Sequence, residues 1–162
     1  MDTRIYLTNL AKYNEGRLVG KWVDLPLTDE DLTRELHEVL GDDEEYFITD
    51  YESPIKIAEY ENLVEFNNFV LQLEELDEYD QQKILYLIHV IGCTRKEALD
   101  KYEDVIFYPD ITLEDVAIEL VEEGIFGSLA DTIKGYIDYE KLARDLSIGG
   151  YHETENGTFW YL

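Results

Sequence analysis

The stretch from Asp42 to Glu52 combines six carboxylates with strand-forming residues, and this combination constrains the fold more than any other feature of the sequence. A run of like charge this dense is normally disordered, because repulsion and low hydrophobicity leave little to offset chain entropy. The run also contains aromatic and β-branched residues typical of strands, which are Tyr46, Phe47, Ile48 and Tyr51. The sequence therefore predicts a strand that fixes an array of negative charge on a folded surface.

The excess of negative charge extends along the whole chain. The 162 residues include 38 acidic and 13 basic ones, which gives a net charge of −25. Residues 1–60 contain 15 acidic and 6 basic residues, residues 61–103 contain 10 and 4, and residues 104–162 contain 13 and 3. An acidic tail is therefore excluded as the source of the excess negative charge. A charge of −25 equals that of roughly 40 Å of duplex DNA, which is similar to the expected span of a compact chain of this length.

Hydrophobic periodicity predicts an α+β fold, elongated and built from three small modules. Helix starts are predicted at Thr28, Thr94 and Thr112, because each is followed three positions later by an acidic residue. Residues 1–60 predict a small antiparallel sheet with one helix, in the order β-β-α-β. Residues 61–103 predict a helical middle module. Residues 104–162 predict helices, one of them from about Ile133 to Leu146, and a hairpin around Asn156-Gly157. The last strand ends in consecutive apolar residues, Phe159 to Leu162, for which core burial is favoured over a subunit interface.

The common catalytic and cofactor motifs do not occur in the sequence. No glycine-rich phosphate loop, dinucleotide-binding fingerprint or calcium loop is present, so no cofactor, no metal site and no enzymatic activity are predicted. The three histidines are far apart in the sequence, and the apolar neighbours of His89 predict a core position for it. Cys93 is the single cysteine, which favours a reducing, cytoplasmic location. We expect no membrane association and no direct nucleic-acid binding, because so negative a surface repels phosphate.

Three stretches of the chain are distinctive: IYLTNLAKYNEGRLVGKWVDLP from Ile5, YFITDYESP from Tyr46 and GYIDYEKLARDL from Gly135. In this order and spacing they resemble the ArdA family of antirestriction proteins. The third is similar to the antirestriction motif of the family, which implies a role for Tyr136, Ile137, Asp138, Tyr139, Arg144, Asp145 and Leu146. The chain departs from the family pattern at Ala130 and Ala143, where Pro and Gly are expected.

The resemblance implies a dimeric DNA mimic from a conjugative element. Such a protein presents carboxylates in place of phosphates, occupies the DNA groove of a type I restriction-modification enzyme and inhibits restriction and often modification. The partners would be the methyltransferase core and the specificity subunit. The candidate phosphate mimics are acids outside helix caps: Asp42, Asp43, Glu44, Glu45, Asp50, Glu52, Glu61, Glu65, Glu74, Glu75, Asp77, Glu78, Glu119, Glu122 and Glu123. We expect Tyr46 and Tyr51 to supply adaptable hydroxyl groups beside them.

Two other functions stay open at the level of the sequence. The first is a dedicated inhibitor of one basic nuclease, comparable to an immunity protein, which would also present an acidic surface. The second is a divalent-cation-dependent hydrolase that uses the carboxylates of residues 42–45 as ligands. Breadth of inhibition distinguishes the first from a DNA mimic, and saturable stabilisation by calcium or magnesium distinguishes the second.

Overall fold

A computed structural model describes residues 2–162 and divides the chain into two compact units. The first unit ends at Asp77, and the second runs from Glu78 to Leu162. Each contains one three-stranded antiparallel sheet and several helices, which confirms the predicted α+β class. The boundary between the units falls inside the helical module expected over residues 61–103, and the division into three modules stays a prediction. None of the helices formed by residues 2–162 is long and apolar enough to cross a membrane.

The first unit has the predicted order β-β-α-β, with two additional helices. Its elements are β1 (Thr3–Asn9), α1 (Leu10–Asn14), β2 (Gly20–Leu25), α2 (Asp29–Leu40), β3 (Tyr46–Glu52) and α3 (Leu63–Glu74). The strand order is β2-β1-β3. Helix α2 begins at the predicted cap, where the Thr28 side chain accepts a hydrogen bond from the Asp31 amide, and it ends at Gly41.

The two faces of the first sheet differ in polarity. Ile5 and Leu7 of β1 are fully buried, and Val23 of β2 lies directly opposite Ile5 on the same face. The alternating residues Arg4 and Tyr6 point to the other face and are only half-buried. Helix α2 packs against β1 and β2. The sheet therefore has one face in the core and one face available to solvent.

The second unit contains the remaining helices and the second sheet. Its elements are α4 (Glu78–Tyr86), a π-helical turn (Leu87–Ile91), α5 (Arg95–Lys101), a 3₁₀ turn (Tyr102–Asp104), β4 (Ile106–Pro109), α6 (Leu113–Glu122), α7 (Asp131–Lys134), α8 (Tyr139–Ile148), β5 (Tyr151–Thr154) and β6 (Gly157–Trp160). The strand order is β4-β6-β5. The predicted hairpin joins β5 to β6, and the capping box predicted at Thr94 and Glu97 is complete.

Stacked aromatic rings hold the second sheet to helix α4. The Phe159 ring lies 4.2 Å from the Phe107 ring and 4.5 Å from the Tyr86 ring, with almost parallel planes. Burial raises the pKa of Tyr86 to about 12, and its hydroxyl is 2.7 Å from Nδ1 of His152. Phe159 is buried as predicted, whereas Leu162, the last residue of the same apolar run, is exposed.

Two predictions about this unit are wrong. The helix expected from Ile133 to Leu146 is interrupted, because α7 ends at Lys134 and Asp138 then caps a new helix by accepting a hydrogen bond from the Lys141 amide at 3.0 Å. His89 is exposed rather than buried. It lies on the π-helical turn, where the additional residue per turn changes the face that each following side chain occupies.

The close approach of β1 and β2 requires glycine at position 20. A Cβ atom built on Gly20 would lie 2.6 Å from the carbonyl oxygen of Leu7 and 2.9 Å from the Tyr6 ring. The first of these neighbours is backbone and cannot move without breaking the strand pair. No atom lies within 4 Å of a Cβ built on Gly135, whose φ of −66° suits any residue.

We expect Gly20→Ala to lower the free energy of unfolding by about 1 to 3 kcal/mol, because of overpacking against the neighbouring strand. Gly135→Ala serves as the control and should change it by less than about 0.5 kcal/mol. Urea denaturation followed by circular dichroism measures both. Equal stability of the two variants would contradict the close strand approach.

Candidate binding surface

The acidic run begins in a turn that is tied to the rest of the first unit. Nδ2 of the buried Asn9 donates hydrogen bonds to the Val39 carbonyl oxygen at 3.2 Å and to Oδ2 of Asp43 at 3.0 Å. Nζ of Lys12 lies 3.2 Å from the same carboxylate oxygen. These bonds connect the end of α2 to the β1–α1 corner, so the four carboxylates of residues 42–45 project from a fixed backbone.

Asp43 differs from its three acidic neighbours because its carboxylate has a hydrogen bond and an ion pair within the protein. Hydrogen bonds from Asn9 and then Lys12 hold the pKa of the Asp43 carboxyl below its usual value of 3.8. Asp42, Glu44 and Glu45 are exposed, and within residues 2–162 their carboxylates form no ion pair. Asp43 therefore stabilises the turn, while its neighbours carry charge that the described chain does not compensate.

The solvent face of the first sheet brings together acids from two strands around one arginine. The register places Asp50 opposite Tyr6 and Glu52 opposite Arg4. The Arg4 guanidinium lies 3.4 Å from the Asp24 carboxylate and 3.8 Å from the Glu52 carboxylate. It also lies 4.6 Å from the centre of the Trp22 ring, in a cation–π contact.

Arg4, Asp24 and Glu52 also line a cleft of about 360 Å³ together with Asp2 and Glu74. Four carboxylates and one guanidinium thus line the same cleft. Asp24 is not among the candidate residues predicted from the sequence. Its place depends on the register of β1 and β2, and that register could have been inferred only after the strand boundaries were known.

The acids around α3 occupy its ends and its exposed side. Glu65 lies in the first turn, Glu74 and Glu75 lie at the carboxyl end, and all three are exposed. None of the three forms an ion pair with another residue of the range 2–162. Phe66 and Val70 on the opposite side are buried. The apolar contacts of the helix therefore orient its carboxylates outward.

The other candidate acids close to α3 in sequence have mixed surroundings. Glu61 is half-buried, and its carboxylate accepts a hydrogen bond from the Ala58 amide at 3.2 Å. Asp77 is exposed at the end of the first unit, and Glu78 is exposed in the first turn of α4 in the second unit. Glu61 is therefore oriented by its own loop.

The hydroxyl of Tyr46 is not the adaptable group expected from the sequence. It donates a hydrogen bond to the Glu61 carbonyl oxygen and accepts one from the Leu63 amide, both at 3.1 Å. It thus fixes the segment that leads into α3. Tyr51 is half-buried on β3, and its role as a polar contact stays a prediction.

Helix α6 presents acids along its exposed side in the second unit. Asp115, Glu119 and Glu123 follow one another at intervals of four residues, so they lie along one side at steps of about 6 Å. Val116 and Leu120 face the core. Burial raises the pKa of Tyr108, and the negative charges of Glu123 and then Glu119 add to this effect.

Glu122 is an acid of α6 that forms an ion pair. Nζ of Lys134 lies 2.6 Å from the Glu122 carboxylate and 3.4 Å from the Asp131 carboxylate. The hydrogen bond that Lys134 donates to the Glu122 carboxylate is the main cause of the raised pKa of Lys134. The contact links α6 to α7, so Glu122 positions the segment that precedes the antirestriction-like motif.

The motif that resembles the family's antirestriction motif divides into buried and exposed residues. Tyr139 and Leu146 pack against the core cluster that contains the buried Ala143, and Ile137 is half-buried. Asp138 caps α8. Asp138 is itself exposed, as are Tyr136, Arg144 and Asp145, and 89% of the Tyr136 surface is accessible. Much of the motif therefore builds the end of the second unit, and three side chains remain for contacts outside it.

Cysteine, histidine and acidic residues converge nowhere in the described part of the chain as a group of three or more that could hold a metal ion. What the site offers is a set of exposed carboxylates on helices, on a strand edge and in a fixed turn. The fold and the site thus define a class of acidic α+β proteins that present negative charge on ordered elements.

The comparison with known proteins identifies the family. The family model described as antirestriction protein (ArdA) matches residues 5–160, which is nearly the whole chain. The chain therefore belongs to the ArdA family of antirestriction proteins, which implies an antirestriction function and an interaction with restriction-modification enzymes. A search of curated proteins found no match.

The role of Asp43 predicts a pH-dependent stability. Because its pKa is lower in the folded than in the unfolded protein, its contribution is complete above the unfolded value near 3.8 and is lost as the pH falls through the folded value. We expect Asp43→Asn to be less stable than the parent protein at pH 7, and the difference to shrink below about pH 4.

Denaturant unfolding at a series of pH values measures this effect. Asp42→Asn is the matched control, because it removes the same charge from an exposed neighbour that has no ion pair in residues 2–162. It should not destabilise the protein at pH 7. If Asp43→Asn were as stable as Asp42→Asn, the proposed structural role of Asp43 would be excluded.

Proposed function

We propose that this protein is a DNA mimic that competes with duplex DNA for the DNA-binding groove of type I restriction-modification enzymes. The groove is formed by the methyltransferase core and the specificity subunit, and its occupation inhibits restriction and often modification. The observation that carries the proposal is the set of exposed acids held on ordered elements without ion pairs inside the described chain. Family membership supports the same target class.

The mechanism is electrostatic and steric, and no covalent bond is made or broken. Lysine and arginine residues that bind phosphates would bind carboxylates instead, since both anions accept charge-assisted hydrogen bonds. Phosphate contacts carry little sequence information. A protein that mimics them should therefore inhibit enzymes with different recognition sequences.

The ordered backbone beneath the acids contributes to affinity. A flexible acidic chain would lose conformational entropy on binding, whereas carboxylates on a strand, helices and a tied turn lose only side-chain freedom. The bonds of Asn9 to Asp43 and of Tyr46 to Glu61 provide this order in the first unit. The apolar contacts of α6 provide it in the second.

The proposal includes a homodimer formed through an apolar surface of the second unit. The surface proposed for this contact, termed the 125–148 patch, is the set of exposed apolar side chains in that segment: Ile125, Phe126, Leu129, Ile133, Tyr136 and Ile148. Residues 125–130 carry no charge. Two chains that each carry −25 repel one another, so contact is least unfavourable where apolar area is concentrated and charge is absent.

A comparison of two fourfold variants tests the charge array. The first neutralises Asp42, Glu44, Glu45 and Glu65; the control neutralises Asp100, Glu103, Asp104 and Glu155, which are exposed but outside the array. Each removes four negative charges. At low salt we expect the array variant to bind a type I methyltransferase about tenfold more weakly and the control to change little, because each exposed pair contributes about 0.2 to 1 kcal/mol.

Competition against a labelled duplex at several salt concentrations measures both effects. Binding of the parent protein should weaken steeply as salt rises, and the array variant should show a shallower slope. Equal losses in the two variants would mean that net charge alone drives binding. Simultaneous binding of the protein and the duplex would exclude the proposed competition.

Substitution within the 125–148 patch tests the dimer. Ile133→Glu should shift the protein to a monomer, because it buries a charge at the contact. Leu18→Glu makes a similar change at another exposed apolar residue, on the first unit, and should leave the dimer intact. Sedimentation velocity distinguishes these states. An unchanged mass for Ile133→Glu would remove the patch from the interface.

A further inference from the structure

A cleft beside β3 differs from the other acidic surfaces because aromatic rings form part of its wall. Its volume is about 490 Å³, and its lining includes Tyr13, Phe47, Asp50, Tyr51, Ile57 and Glu59. The lining contains two carboxylates and no basic residue. A ligand that fits it must therefore satisfy an aromatic surface and a negative potential together.

The aromatic wall has an accessible face. The Tyr13 ring packs edge-on against the Phe47 ring at 5.1 Å, and the Tyr60 ring stacks on Phe47 at 6.2 Å. Phe47 is buried, whereas 52% of Tyr13 is accessible. The buried ring therefore supports Tyr13, which remains open to a ligand.

The acidic wall is fixed by backbone hydrogen bonds. The Ile48 amide of β3 donates to the Glu59 carbonyl oxygen at 2.8 Å, which holds residue 59 against the strand edge. The Tyr51 amide donates to Oδ1 of Asp50 at 2.8 Å, which orients that carboxylate. Ile57 is buried in the lining. The cleft is thus formed before any partner binds.

We propose that this cleft binds the guanidinium group of an arginine side chain from the DNA-binding groove of the partner enzyme. The inference rests on the proposed function and adds one defined anchor to the distributed array. Arginine fits better than lysine, because its planar and weakly hydrated head stacks on an aromatic ring while its N–H groups bind carboxylates. Asp50 and Glu59 supply the carboxylates, and Tyr13 supplies the ring.

Such an anchor differs from phosphate mimicry in a measurable way. The acids of the array contribute through charge, so their loss changes how steeply binding depends on salt. Tyr13 would contribute through its aromatic ring and not through a carboxylate, and the contact of that ring with a cation is short-ranged. Loss of the Tyr13 ring should therefore weaken binding equally at all salt concentrations.

The experiment measures the affinity of Tyr13 variants for a type I methyltransferase over a range of salt concentrations. Tyr13→Ala should bind about tenfold more weakly, with an unchanged salt slope. Tyr13→Phe keeps the ring and should restore affinity to within about twofold of the parent protein. Asp50→Asn should weaken binding and also reduce the slope, because it removes a charge.

Tyr79→Ala is the matched control, because Tyr79 is similarly exposed but lies on α4 of the second unit. It should bind as the parent protein does. Thermal unfolding verifies that each variant is folded, and Tyr13→Phe and Asp50→Asn keep the test valid if Tyr13→Ala is destabilised. If Tyr13→Ala bound as tightly as the parent protein, or if Tyr13→Phe lost as much affinity as Tyr13→Ala, the proposed arginine site would be excluded. The proposed competition with duplex DNA would be unaffected. Failure of the parent protein to compete with duplex would overturn the proposed function and the anchor with it.

Discussion

Repulsion among the carboxylates is the constraint on which the rest of this structure depends. A net charge of −25 opposes any compact state, and apolar burial in each unit must exceed that repulsion. In the first unit Ile5, Leu7 and Phe66 are fully buried, and in the second the Phe107–Phe159–Tyr86 stack has a comparable role. The acids can remain exposed and close together because buried apolar and aromatic residues, which carry no charge, stabilise each unit.

Basic residues are few, and several of them hold structural positions. Lys21 pairs with Glu35 and Glu38 of α2, which raises its pKa. Lys12 ties the turn at Asp43, and Lys134 ties α7 to α6. Each of these contacts joins two different structural elements of the chain. Each of these lysines compensates acids that organise the fold, and acids such as Glu44, Glu65 and Glu119 keep their charge exposed.

Much of the fold could be predicted from local chemistry. The caps at Thr28, Thr94 and Thr112 were identifiable because a hydroxyl residue is followed three positions later by an acid, and the β5–β6 hairpin was marked by Asn156-Gly157. The break between α7 and α8 was missed because Ile133 and Ile137, four residues apart, keep a helical spacing past the end of α7. The exposed position of His89 was missed because the sequence does not indicate the π-helical turn.

The candidate site was less predictable, because the hydrogen bonds and ion pairs of each acid depend on the tertiary structure. Sequence alone could not distinguish Asp43, which binds Asn9 and Lys12, from Asp42 beside it. It also gave no reason to place Tyr13 of α1 beside Phe47 of β3. This difference affects binding of a cationic partner. A carboxylate that is already paired inside the protein must give up that contact to bind a lysine or arginine of the partner, whereas an exposed unpaired carboxylate gains a new contact. The unpartnered acids and the Tyr13 cleft are therefore the positions where a cationic partner would gain most.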